Sequence, residues 1–333
     1  MNPAPPANRR QACVRIAAAA LAIPGLNVFA QAYPSRPVRI IVPFTPGGSS
    51  DVLARAISQD LSRALGQPVV IENVPGAGGS LGAERGARAA PDGYTLLMGH
   101  IGTLSVNPWL YPKLGYDPVK SFAPVAWVAR VPNVLVVHPS VPANNLKELV
   151  ALARSRPGQL AYGSGGNGSA AHMTMEYLKT QTGASLLHIP YRGSAPSVSD
   201  LLAGQVQALF TGTPALLPHI KAGKMRALAV SSPKRLAQLP DVPTVAETGV
   251  PGTQGFEADQ WYGLLAPAGT PADIVALLNQ HVNKALGSEE VRTRLATEGA
   301  QPVPTTPQVF SQLIATELRR WEKVVKAAGI KPD

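Results

Sequence analysis

The chain has 333 residues, 30 Lys and Arg against 20 Asp and Glu, a formal charge of +10, and only 5% aromatic residues. Its basic residues are spread singly, with no Lys/Arg run and no interleaved aromatics, which argues against a nucleic-acid partner. The single cysteine, Cys13, falls in a predicted leader, so the mature chain of about 300 residues is expected to fold as two ordinary domains without disulfides or zinc–thiolate sites.

The leader comes first. Arg9, Arg10 and Arg15 make a positive start, Ile16 to Leu26 is apolar, and Ala30-Gln31-Ala32 has the small-x-small pattern of a signal-peptidase site. This order predicts a secretory signal peptide, residues 1–32, cut after Ala32. The apolar run is too short to span a bilayer and is broken by Pro24. Arg9-Arg10 leaves Sec and twin-arginine export both open. Removing three arginines and no acids lowers the formal charge from +10 to +7, a modest field suited to attracting anions.

From Tyr33 onward, short apolar runs alternate with helical patterns. Strands are predicted at Val38 to Val42, Pro68 to Ile71 and Tyr94 to Met98, with helices at Asp51 to Leu65 and Leu81 to Ala90 between them. Such alternation implies βαβ units and a parallel sheet buried on both faces. Two strands follow, Val125 to Ala129 and Val134 to His138, and the rhythm then restarts. Helices at Leu146 to Arg154, Ala170 to Thr180 and Val198 to Leu202 alternate with strands at Leu160 to Tyr162, Leu186 to Tyr191, Val206 to Phe210 and Ala227 to Ser231, predicting a second sheet. Trp261 to Ala266 reads as one more strand. If it pairs near Val125, the chain crosses between two domains twice. The C-terminal third is mainly helical, with Thr270-Pro271 and Thr306-Pro307 marking helix starts. No stretch after the leader is long and apolar enough to be a membrane helix.

Three glycine loops carry the chemistry. Pro46 to Ser50, Pro75 to Ser80 and Gly163 to Ser169 each follow a strand and precede a helix. Glycine lets backbone N–H groups turn toward a ligand, and the helix behind adds its positive end. Ser49, Ser80 and Ser169 are placed to cap those helices. Together the loops predict an anion-binding cleft. Two sharper motifs lie inside them. Gly163-x-Gly165-x-x-Gly168 matches a dinucleotide fingerprint but has His188 to Arg192 where an acid is wanted. Gly78-x-Ser80-x-Gly82 matches a hydrolase elbow, although Ser80 stands seven residues beyond Asn73. A serine hydrolase using Ser80 therefore stays open as the enzyme alternative. The scattered histidines give no metal-binding spacing.

The stretch Tyr33-Pro34-Ser35-Arg36-Pro37-Val38 to Phe44, followed by Pro46-Gly47-Gly48-Ser49-Ser50-Asp51, resembles the start of the tripartite tricarboxylate transporter substrate-binding proteins, the Bug or TctC-like receptors. The likeness continues through Glu72 to Gly79, Pro91 to Leu96, His188 to Gly193, Pro218 to Lys224, Leu239 to Thr244 and Trp261 to Pro271. It implies an α/β venus-flytrap of the type II periplasmic-binding-protein kind, without catalysis, metal or cofactor. Domain 1 would be 33–131 with 257–333, domain 2 would be 132–256, and a two-segment hinge would join them. The resemblance further implies a periplasmic monomer that binds a small organic carboxylate and passes it to integral-membrane transporter subunits. A ligand-sensing partner of a two-component system would share the fold and stays open. By position, Phe44, Thr45, Gly47, Gly48 and Ser49 would line one side, with Gly79, Ser80, His100, Ile101, Gly102 and Thr103. Ser164, Gly165, Asn167 and Ala171 would face them, with Tyr191 and Arg192 nearby. Thr211 stands where family members commonly carry an aspartate, which implies a ligand with no essential ammonium group.

Overall fold

The computed structural model describes residues 1–3 and 33–328, so the predicted leader lies outside the described residues save for its first three. In chain order, β1 (Val38–Val42), α1 (Ser49–Leu65), β2 (Val69–Asn73), α2 (Ser80–Ala87), β3 (Thr95–His100), α3 (Asn107–Leu110) and β4 (Phe122–Val131) come first. Next are β5 (Asn133–Val137), α4 (Leu146–Ser155), β6 (Ala161–Ser164), α5 (Ala170–Thr182), β7 (Leu187–Pro190), α6 (Ser194–Leu202), β8 (Ala208–Gly212), α7 (Thr213–Lys221) and β9 (Arg226–Val230). The chain closes with β10 (Gln260–Pro267), α8 (Ala272–Gly287), α9 (Glu289–Thr297), β11 (Gln301–Pro302) and α10 (Pro307–Ala328).

These strands form two sheets among the described residues, ordered β11-β4-β10-β3-β1-β2 and β7-β6-β8-β5-β9. In the first, β1 pairs in parallel with β2 and β3, setting Ile40 beside Ile71 and Leu96. Val38, Ile40, Ile41 and Val42 are fully buried, as a parallel strand covered on both faces requires. β10 runs antiparallel between β3 and β4, so a strand late in the sequence sits at the middle of the first sheet. In the second sheet β6 is parallel to β7 and β8, and β5 is antiparallel to β8 and β9. α1 buries Leu53, Ala54, Ile57, Leu61 and Leu65 along one stripe and ends at Gly66, whose φ of 64° is the left-handed conformation a helix stop favours.

Several local expectations change. Ser49 and Ser80 lie inside the first turns of α1 and α2 behind glycine N-caps, and neither caps through its side chain. Only Ser169 of the three caps its helix, accepting the His172 N–H. Thr270 does not cap α8; its hydroxyl donates to the Pro267 carbonyl at 2.8 Å, and Pro271 occupies the cap. Two segments absent from the sequence reading are helical: Gly102–Val106, a single π-turn running into α3, and α7. α7 starts with Thr213-Pro214, the same device as Thr270-Pro271, but is only nine residues long and contains Pro218.

The chain passes from the first sheet to the second at Pro132 and returns before Gln260. Asn133, fully buried, ties these two crossings together. Its side-chain amide donates to the Ala258 carbonyl at 2.6 Å and the Thr174 hydroxyl at 3.0 Å, while its carbonyl oxygen accepts from the Gln260 amide. Its backbone N–H donates to the Ser231 hydroxyl at 2.8 Å. Beside it, the Ser231 hydroxyl donates to Asp259 at 2.7 Å. Burial pushes the Asp259 carboxyl up to about 6, against the pull of Ser231 and Arg130, with Glu257 adding to the rise and Arg320 opposing it.

Truncation of Asn133 strands several buried partners at once, so Asn133→Ala should cost about 3 kcal/mol in urea unfolding, well above an ordinary surface change. For Asp259 the sign follows from its raised folded-state pKa. Its favourable contribution is complete below the ordinary carboxylate range and is lost as pH rises through about 6. Asp259→Asn keeps an acceptor for Ser231 and should be more stable than the wild type by about 1–2 kcal/mol at pH 7–8. That difference should vanish toward pH 4, as measured by urea midpoints across the range.

Candidate functional site

The first and third glycine loops meet around a small cavity of about 20 Å³, while the second lines the neighbouring outer groove. Phe44, Gly48, Ser49, Ser50, His100 and Tyr262 line it from the first-sheet side, and Gly165, Ser169, Ala170, Ala171, Ser194 and Thr211 from the second. Gln260, on the returning crossing, completes the wall. The first residues of α1, α5 and α6 all stand at this wall, so three helix N-termini converge on one space.

Among the described residues no acidic or cationic side chain lines the cavity. Asp51, next to it in sequence, is turned to another task. It accepts the Gly47 N–H at 3.0 Å, the Asn73 amide at 3.0 Å and Arg55 Nε at 2.9 Å. Burial pushes its carboxyl upward, but the Arg55, Gly47 and Asn73 hydrogen bonds outweigh this and hold it below the usual range. The Gly47 amide is therefore spent on Asp51, shaping the first loop. His100 is fully buried and held down at about 3 by that burial. Its Nδ1 accepts the Thr103 N–H at 3.1 Å, and its ring meets the edge of Phe44 at 4.7 Å, so it enters the wall as a neutral ring. The Ser49 hydroxyl lies at the cavity, buried, with no hydrogen-bond partner. A buried hydroxyl without a partner is costly, and Ser49, beside Tyr262 in the wall, can offset that cost by donating to a bound group.

The other predicted residues take supporting places. Gly79 packs beneath Phe44 and Thr103, and Ser80 Oγ accepts from the Asn107 amide at 2.8 Å. Ile101 is buried in the first core, and Gly102 lies under the Gly168 carbonyl. Thr103 donates back to the His100 carbonyl at 3.1 Å, and Ser164 bonds to His188 at 2.6 Å. The Asn167 carbonyl accepts the Tyr111 hydroxyl at 3.1 Å across the seam between the two sides. Thr45, Tyr191 and Arg192 stand outside the seam in a vestibule of about 820 Å³, where Arg192 is the one charged lining residue and Gly165 is shared with the inner cavity. Ser169 joins Ser49 as a loop serine placed from the sequence to donate to a bound oxygen, whereas Ser50, Ala170, Ser194, Gln260 and Tyr262 were not singled out as ligand contacts. Of these, Ser50 and Ala170 border the glycine loops, which is a signal that was available. Gln260 and Tyr262 reach the wall only because β10 returns to the middle of the first sheet. A larger groove of about 1110 Å³ between Lys234–Gln238 and Leu286–Pro304 has none of these convergent helix starts.

The seam is closed by glycine backbone lying directly against the opposite side. Gly78 has φ 58°, and a Cβ there would run into the Asn167 carbonyl oxygen. Gly193 stands against the Thr45 side chain in the same way. Side chains at either place would hold the two sides apart.

Comparison with known proteins adds the following. Residues 53–330 match the family described as the tripartite tricarboxylate transporter family receptor. Protein BugT of Bordetella pertussis is 44% identical over 317 residues, covering 95% of each chain. The structure of Rpa4515 from R. palustris with adipate superposes with a TM-score of 0.87 at 42% identity, over 90% of this chain and 100% of that one. MatC from Rhodopseudomonas palustris, solved with bound malate, gives 0.83 at 39% identity, over 88% and 100% of the two chains. Family and neighbours alike are periplasmic binding receptors and not enzymes. Ser80, held by Asn107, accordingly has no hydrolase role to serve.

Gly78→Ala should leave the circular dichroism spectrum unchanged while unseating the seam. Amide hydrogen exchange across 165–171 should rise about tenfold or more, because the loop loses its cover. Exchange equal to the wild type would show that the seam tolerates a methyl group.

Proposed function

This chain belongs to the tripartite tricarboxylate transporter receptor family, and from that premise we propose that it captures a small organic carboxylate between its two sides and presents it to a membrane transporter. The observation that carries the reading is the cavity itself: three helix starts and a partnerless Ser49 hydroxyl around a space that no ionised side chain lines. Such a site offers fixed N–H dipoles to an anion without a counter-ion to desolvate. The adipate and malate held by two neighbours are both dicarboxylates, consistent with this chemistry.

The mechanism follows from the geometry. Residues 33–131 with 257–333 act as one lobe and 132–256 as the other, hinged at the Asn133 crossings. A carboxylate docks on the amides of one lobe, and rotation brings the glycine seam together. Closure excludes water, so each remaining hydrogen bond to the anion strengthens in the lower dielectric. The closed surface is what the membrane subunits recognise. Cleavage after Ala32 releases the receptor into the periplasm, where it works as a monomer. Thr211 lines the cavity with a neutral hydroxyl 3.4 Å from that of Ser194, so a ligand's ammonium group would find no carboxylate there.

A thermal-shift and calorimetric screen of the purified chain against mono-, di- and tricarboxylates, aromatic acids and amino acids tests the reading. One carboxylate class should stabilise the folded state, by about 2.7 kcal/mol at a hundredfold excess over Kd. The absence of any shift across the panel would overturn the receptor proposal. Sub-micromolar binding of an amino acid, with plain carboxylates inert, would overturn the role given to Thr211.

A further inference from the structure

Behind the second-sheet glycine loop lies a cluster of rings that line neither the cavity nor the vestibule. His172, in the first turn of α5, and His188, in β7, stack face to face with ring centroids 3.9 Å apart and planes 7° from parallel. Tyr162 of β6 stacks beside the pair, 4.9 Å from His188 and 6.5 Å from His172. Both histidines reach into the loop. The Gly168 N–H donates to His172 Nδ1 at 3.2 Å. His188 Nε2 pairs with the Ser164 hydroxyl at 2.6 Å, and that hydroxyl oxygen accepts the Gly166 N–H at 3.1 Å. Alternate amides of the loop are thus pulled toward the rings. The wall residues Gly165, Ser169, Ala170 and Ala171 are left presenting the opposite side to the cavity.

We propose that His172 and His188 form a neutral two-ring clamp that positions the second-sheet glycine loop for the ligand, His172 being a positioning residue for binding and not itself a contact. The inference rests on the receptor reading for its ligand but on the loop geometry alone for the clamp. His172 Nδ1 accepts a backbone N–H, so its proton must sit on Nε2. Two imidazolium rings at 3.9 Å would repel strongly, so the stack cannot carry a charge on both rings, and the Gly168 N–H donated to Nδ1 requires that nitrogen of His172 to be unprotonated. Burial holds His172 down at about 4, with Lys179 adding to the effect. Burial likewise holds His188 at about 3; neighbouring His172 and Lys179 lower it further and Glu176 opposes them. Glu176 and Lys179 are paired with one another at 2.6 Å, and the Tyr162 hydroxyl donates to Glu176 at 2.5 Å, so the charges beside the stack are matched. Protonation of His172 replaces an acceptor with a donor facing the Gly168 N–H. The loop is then released as pH falls toward about 4.

The test compares the wild type with His172→Leu, which removes the acceptor, and His172→Asn, whose Oδ1 occupies the place of Nδ1. In the ligand-free proteins, amide exchange at Gly168 should rise about tenfold in His172→Leu and stay near the wild-type rate in His172→Asn. Carboxylate affinity at pH 7 should fall about tenfold in the first variant and stay within about threefold in the second. Between pH 7 and 4 the wild type should lose more affinity than His172→Asn, since protonation of the ligand is common to both. If His172→Leu did not fold, the asparagine variant and its flattened pH profile would still decide the matter. Unchanged exchange at Gly168 in His172→Leu, or equal pH profiles for wild type and His172→Asn, would overturn the clamp. A wild-type chain that took up no carboxylate would instead sink the receptor reading, and exchange at Gly168 would still support or overturn the clamp.

Discussion

One buried amide, the side chain of Asn133, holds together the place where the chain changes sheets. Standing on the outgoing crossing, it bonds to the returning one and to α5, and through Gln260 it is linked to the Tyr262 hydroxyl at the cavity wall. Each polar atom of that side chain has a partner, which is the condition under which a buried polar group specifies a structure and does not weaken it. The remainder follows from this joint. The second sheet can be built from one continuous stretch of chain only because the two crossings run side by side, and β10 can then enter the centre of the first sheet. Its return brings Gln260 and Tyr262 to the cavity, so the wall of the site and the joint between the sheets are one hydrogen-bonded assembly.

The electrostatic design of the cavity is an economy of charge. An ionised side chain in so small and enclosed a space would need its own partner, and its desolvation would consume much of what it gained from an anion. Instead the acid nearest the cavity, Asp51, is bound into the loop by Arg55, Asn73 and the Gly47 amide. The buried ring in the wall, His100, is kept neutral. What remains facing inward is a set of hydroxyls, small residues and helix starts. This explains why a chain with a formal charge of +10 shows no cation at its innermost site. The net charge acts at a distance, while Arg192 lines the outer groove that shares Gly165 with the cavity.

The glycine loops serve two purposes that are easily confused. In the sequence they read as anion cradles. In the fold, Gly165 and Gly48 do line the cavity, but Gly78 and Gly193 are needed because the Asn167 carbonyl and the Thr45 side chain of the opposite side stand where a Cβ would be. Gly79 and Gly102 fill a third role, giving room to Phe44, Thr103 and the Gly168 carbonyl. A glycine in such a loop is therefore as much a statement about what comes near it as about its own conformation.

The sequence by itself determined the α/β alternation, the burial of strands such as Val38 to Val42, the second sheet, and the three glycine loops that end up together. All of these depend on periodicity and on residue types whose conformational preferences are local. It also carried the family, through short motifs spread over the whole mature chain. It did not reveal α7 or the π-turn after β3, because a helix of nine residues with an internal proline leaves little periodic signal. Nor could it tell which loop residues face the ligand. Ser49 and Ser80 occupy equivalent places in their motifs, yet one hydroxyl lies bare at the cavity and the other is claimed by Asn107. That difference is set by contacts between residues far apart in the chain, and so are the roles of Gln260, Tyr262 and the stacked histidines. Only the tertiary structure brings those partners within a hydrogen bond of one another, and at that range the choice between ligand contact and structural support is made.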